Sequence, residues 1–234
     1  MSEVLKLKYF NFDSFYMQIL FNGNENWVFM GIIGNSFRNQ NVFSEEEFSQ
    51  QLNVDSNFLK KCFEADDYAK KRIGNLNNKF LVSCLVSDFY KNVTDDVDNS
   101  RAFAVKLALK TIIKRGVCMV TNKQLLLSRL LGYYKPISLE LLEKYKEYKF
   151  FYDKNKWRKL KKSLVNVGVN IYSGTANKGE KGKTTYGFIV GLCSQDVLNE
   201  WAKAYLRGKF KPTGDGWNDF QQLLKFSADE EKHG

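Results

Sequence analysis

Residues 153–192 read DKNKWRKLKKSLVNVGVNIYSGTANKGEKGKTTYGFIVGL, and a change of period inside them sets the expected fold. Trp157, Leu160 and Leu164 recur at i, i+3 and i+7, which is one face of a helix running from Lys154 to Val165. Asp153 stands before it as a capping residue. Lys154, Lys156, Arg158, Lys159, Lys161 and Lys162 cover the rest of that helix. Val167, Val169 and Ile171 then alternate with Gly168, Asn170 and Tyr172, a strand pattern. After a loop with three glycines and three lysines (Lys178, Lys181, Lys183), a strand resumes from Thr184 to Leu192, with Tyr186, Phe188 and Val190 on one face. A very basic helix is thus followed by a hairpin with a basic tip.

Upstream, Ala104, Leu107, Ala108 and Ile112 predict a helix over 100–115 that stops at Gly116. Thr121 is the expected cap of a second helix carrying Leu125, Leu126 and Leu130 and ending near Gly132. Ser138 is the expected cap of a third, Leu139 to Lys149. This succession over 100–192 resembles a winged-helix domain. The resemblance implies that the last helix enters the major groove of double-stranded DNA and that the hairpin touches phosphates or the minor groove. On that reading Lys154, Lys156, Arg158, Lys159, Lys161 and Lys162 are the helix contacts, although their spacing spreads them over more than half its circumference. Lys178, Lys181 and Lys183 are the wing contacts. Trp157 is either a base-stacking platform or, because it shares a stripe with Leu160 and Leu164, a core anchor; the second is favoured.

The charge distribution points the same way. Of 36 Lys and Arg and 26 Asp and Glu in 234 residues, 15 cations and 5 anions fall between 121 and 191, whereas residues 1–120 carry 15 and 14. The excess of +10 is therefore confined to one segment, and such a patch attracts polyanions. No apolar run approaches the roughly 18 residues needed to span a bilayer, and Met1 to Lys8 lacks the apolar core of a secretory signal. A cytoplasmic protein without a membrane partner is expected. Cys62, Cys84, Cys118 and Cys193 lie far apart in sequence among apolar neighbours and read as four reduced core thiols. With His233 alone in the tail, neither a zinc pattern nor a Ser-His-Asp set is available, and no cofactor is called for.

The N-terminal region is aromatic. Tyr9 to Phe12 and Phe15 to Phe21 read as strands, Asn22-Gly23 as a hairpin turn and Trp27 to Met30 as the returning strand. Ser44-Glu-Glu-Glu47 is a capping-box start. Phe48 and Leu52, then Phe58, Leu59 and Phe63, suggest two short helices. Phe10-Asn-Phe12, Trp27-Val-Phe29, Phe80-Leu-Val82, Arg101-Ala-Phe103 and Lys114-Arg-Gly116 follow one another in an order that resembles the Bro-like N-terminal domain of phage antirepressors. The Ala102-Phe103 spacing and the central helices depart from that family. The resemblance implies a DNA-binding protein related to phage or mobile elements. Asp95, Asp96 and Asp98 read as a polar loop and helix cap in preference to a Mg²⁺ site.

Gln195 to Tyr205 predicts a helix stopped by Gly208, and Trp217 to Phe226 another; 227–234 reads as a frayed tail. The expectation is an α+β chain with an N-terminal domain over 1–99, a winged-helix-like module over 100–192, and C-terminal helices over 193–226 that pack or dimerise. Its expected function is binding of double-stranded DNA, as a transcriptional regulator or a plasmid or phage replication or partition factor, and not as an enzyme. The alternatives are an RNA- or single-strand-binding protein, given Tyr145, Tyr148, Phe150, Phe151 and Tyr152 beside the lysines, and a metal-dependent nuclease using Asp88, Asp95, Asp96 or Asp98.

Overall fold

The computed structural model describes residues 6–23, 26–73, 80–93, 96–114, 116–172, 187–208 and 222. The chain is α+β, mostly helical, with two small antiparallel sheets among these residues. It divides into two compact units, 1–107 with 128–135 and 108–127 with 136–234.

In the first unit, β1 (Tyr9–Asp13) turns Phe10 and Phe12 into the core. The expected hairpin does not follow. Phe15–Asn22 is a helix, α1, and Asn26–Arg38 is another, α2. The correction has a physical cause: Phe15, Tyr16, Met17, Leu20 and Phe21 are all buried, a spacing that a helix can turn inward and a pleated strand cannot. The strand preference of aromatic residues yields to that burial. After α3 (Glu45–Leu52) and α4 (Ser56–Ile73), the partner of β1 arrives as β2 (Leu81–Leu85), with Tyr9 opposite Leu85 and Asp13 opposite Leu81. Side chains of α2 bond the outer edge of β1: Asn11 N–H donates to Ser36 Oγ (3.0 Å) and Asp13 N–H to Asn35 Oδ1 (2.8 Å). Helices α2 and α4 pack closely because Gly34 has no Cβ, which would collide with the Cys62 carbonyl.

Asp66 of α4 is fully buried and accepts from Tyr16 Oη (3.0 Å), Asn35 Nδ2 (3.0 Å), Arg38 (2.6 Å) and Lys70 Nζ (2.7 Å). A buried carboxylate is tolerated only with this degree of pairing. Helix α5 (Val86–Asn92) and α6 (Val97–Ile113) follow, and the unit boundary falls inside α6.

The second unit is built on β3 (Cys118–Asn122), which no local pattern announces. Thr121, expected to be a cap, lies within this strand; Asn122 Oδ1 takes the Leu125 N–H (2.8 Å) at the start of α7 (Lys123–Leu130). Ser138 caps as expected, but the helix behind it is two: α8 (Leu139–Leu142) and α9 (Lys146–Tyr152), separated where Tyr145 is extended. Asp153 accepts from the N–H groups of Asn155 and Lys156 (both 2.9 Å) and opens α10 (Lys154–Asn166). That helix ends at Val167 and Gly168, whose φ of +78° suits glycine alone, so Val167 belongs to the helix end and only Asn170–Ile171 forms a strand, β4. Strand β5 (Gly187–Gly191) lies between β3 and β4, with Cys118 and Asn170 both opposite Gly191.

Ser194 caps α11 (Gln195–Leu206), whose Leu198, Trp201, Ala202 and Ala204 form a core with Cys118 and Ile189. The helix expected over 217–226 lies, apart from Gln222, outside the described residues. Among the described residues no helix is long and apolar enough to cross a membrane.

Candidate nucleic-acid interface

The second unit sorts the basic helix into two faces. Leu160 and Leu164 are buried and Trp157 is half-buried, so α10 is held by one stripe. Directly opposite, at i, i+3, i+4, i+7 and i+11, stand Asn155, Arg158, Lys159, Lys162 and Asn166, all exposed. Lys154 and Lys161 flank this face on one side. Lys156 lies on the other, its amine 6.0 Å from the centre of the Phe150 ring. All six predicted helix cations are exposed, as expected, but only Arg158, Lys159 and Lys162 share the outward centre.

Trp157 packs between Phe151 and Phe188, at 5.6 Å from each ring centre, which is the anchoring role. Lys123 joins this cluster: its amine sits 4.8 Å from the Trp157 ring centre and 5.3 Å from that of Tyr152, and donates to the Phe151 carbonyl (2.8 Å). Burial, and then the nearby Lys161 charge, lower the Lys123 pKa below the usual lysine range. Beside it, Tyr148 and Tyr152 stack at 4.3 Å, with Tyr152 exposed.

The acidic side chain next to the helix, Asp153, is held below the usual carboxylate range by the Lys156 backbone N–H, so it presents its charge to the helix N-terminus. Such a face, with cations to hold phosphates and amides able to bond base edges, has the chemistry of groove recognition. Sequence reasoning missed Asn155, Asn166 and Lys123. The two asparagines were legible as the face complementary to Leu160 and Leu164; Lys123 had no local signal.

The arms of the predicted hairpin pair, Ile171 opposite Val190, but its tip with Lys178, Lys181 and Lys183 lies outside the described residues. The carboxylates considered for a nuclease have other partners. Asp88 pairs with Lys106 (3.0 Å) and Asp98 with Arg101 (3.1 Å). Asp96 accepts from the N–H groups of Asp98 and Asn99 (2.9 and 3.3 Å). Asp95 lies outside the described residues, among which no three metal-ligating side chains gather. Comparisons of the chain with protein-family models, with curated proteins and with solved structures give no match.

Proposed function

We propose that this protein binds double-stranded DNA through the outward face of α10, inserted in the major groove. The observation that carries this reading is the segregation of α10: Trp157, Leu160 and Leu164 anchor one side while Asn155, Arg158, Lys159, Lys162 and Asn166 share the other. A helix fits a groove about 12 Å wide, and an Asn or Arg on its surface discriminates base edges by paired hydrogen bonds. The order helix, strand, helix, short helices, basic helix, strand, strand, with β5 between β3 and β4, supports a winged-helix reading of the second unit. The role is that of a transcriptional regulator or a replication or partition factor, acting as a homodimer on two half-sites.

Selection of bound duplexes from a random pool tests this. An enriched motif with a palindrome supports the dimeric, sequence-specific reading; recovery of unenriched sequence refutes specificity. A second reading, single-strand binding, is favoured by the stack of half-buried Tyr148 on exposed Tyr152 beside Lys123. Competition between duplex and single strands of one sequence separates the two.

A further inference from the structure

The four cysteines are not equivalent. Cys118, the first residue of β3, and Cys193, two residues beyond β5, are 75 positions apart in sequence, yet their sulfurs lie 3.4 Å apart. The residue between them in space is Gly191, opposite Cys118 in the sheet register. A Cβ there would sit 2.8 Å from Cys193 Sγ and 2.9 Å from Cys118 Sγ, so the absent side chain is what lets the thiols meet. Cys193 is partly exposed, and its carbonyl accepts from Asn170 Nδ2 (2.7 Å), which fixes the backbone that carries it. Cys118 is buried behind it.

We propose that Cys118 and Cys193 are a redox-active pair, oxidised by low-molecular-weight disulfides to an intramolecular disulfide that ties β3 to the corner between β5 and α11. The hydrogen bond with Cys118 holds the Cys193 thiol below the usual cysteine range, which makes it the attacking member. The Cys193 thiolate attacks one sulfur of the oxidant, here glutathione disulfide; a bond forms to that sulfur and glutathione thiolate leaves. Cys118 then gives its proton to that thiolate and attacks Cys193 Sγ, which forms the protein disulfide and expels the second glutathione. Two protein thiols are oxidised and one small disulfide is reduced to two thiols. Cys62 and Cys84 belong to the other unit and are both buried; burial pushes the Cys62 thiol up to about 12, out of reach of this chemistry.

The test is incubation of the full chain with glutathione disulfide, followed by acid quench, alkylation and peptide mass spectrometry. The expected product is a Cys118–Cys193 cross-linked peptide with two hydrogens lost, reversed by dithiothreitol, while Cys62 and Cys84 are alkylated only after unfolding. In Cys118→Ser the reaction stops at a glutathione adduct on Cys193, and in Cys193→Ser neither product forms. Gly191→Ala, checked for folding by circular dichroism, keeps both thiols and loses the cross-link. A wild-type chain that accumulates the Cys193 adduct without cross-linking, or that stays fully reduced, overturns the proposal. So does a folded Gly191→Ala chain that cross-links as fast as wild type.

Discussion

Replacing Arg158, Lys159 and Lys162 together by Gln removes three positive charges from the centre of the outward face of α10 and touches nothing in its buried stripe. Each phosphate that a cation neutralises on B-DNA contributes about 0.9 to the slope of log affinity against log salt, so three contacts lower it by about 2.7. Between 50 and 200 mM salt the wild-type chain should therefore lose about 40-fold more affinity than the variant. Fluorescence anisotropy of a labelled duplex, titrated with protein at four salt concentrations, reads this directly. The variant should stay folded and melt no lower than wild type, because the substitutions leave the buried stripe of α10 intact and remove like-charge neighbours along the helix. The control is Lys60, Lys61 and Lys71 to Gln, exposed positions of α4 in the other unit that carry the same charge change. An unchanged slope in the α10 variant, or an equal fall in the control, refutes the assignment; the second result would mean that net charge alone attracts the polyanion.

Three further outcomes are expected. Trp157→Ala should destabilise the chain by about 2 to 3 kcal/mol in urea denaturation, less than for a fully buried tryptophan, and Trp157→Phe should recover most of it. A stable Trp157→Ala chain with lost DNA binding would restore the base-stacking role. Asp66→Ala leaves Arg38 and Lys70 without their shared carboxylate and should cost about 3 to 5 kcal/mol; a change below about 1 kcal/mol would show that the network is incidental. With the Cys62 thiol at about 12 in the folded chain and about 8.5 in the unfolded one, the unfolded state sheds its proton first as pH rises. Stability from this group is complete below about pH 8.5 and declines toward pH 12. The melting temperature of Cys62→Ala should fall less steeply than that of wild type over that window; parallel curves would contradict the burial of the thiol.

What could be read from the sequence was what depends on near neighbours. The stripe of Trp157, Leu160 and Leu164, the Asp153 cap, the Ser44 capping box and the Gly208 stop each need only a few adjacent residues, and each stands as expected. Two of the failures, β3 and the N-terminal hairpin, involve partners far along the chain. β3 is five residues with no alternation to mark it, and exists because β5 lies beside it some seventy residues later. The N-terminal hairpin failed for the same reason in reverse: a good local turn signal at Asn22-Gly23 lost to a core that took Phe15, Tyr16, Met17, Leu20 and Phe21 on one helix. The outward face of α10 was half legible. Its cations were evident as a set, but which of them point together follows only once the buried stripe is fixed.

The composition of α10 is itself an argument for a polyanionic partner. Lys154 and Arg158, Lys156 and Lys159, Arg158 and Lys161, Arg158 and Lys162, and Lys159 and Lys162 are like-charge neighbours three or four residues apart on one helix. At about 0.2 to 0.5 kcal/mol each, these five repulsions cost the free protein about 1 to 2.5 kcal/mol. The helix itself contains no acidic residue, and Asp153, which lies before it, is engaged by the first backbone N–H groups. A helix needed only for packing would be more stable with glutamates at several of these positions, since alternating charge gives the same solubility without the repulsion. The same crowding becomes favourable against a row of phosphates, where each cation releases a condensed counterion and the neighbours no longer repel through low-salt solvent. The anchored stripe on the other side is what lets the helix keep its form in the meantime: Leu160 and Leu164 are fully covered, and burial of side chains of that size contributes about 1.5 to 3 kcal/mol each, enough to outweigh the repulsion.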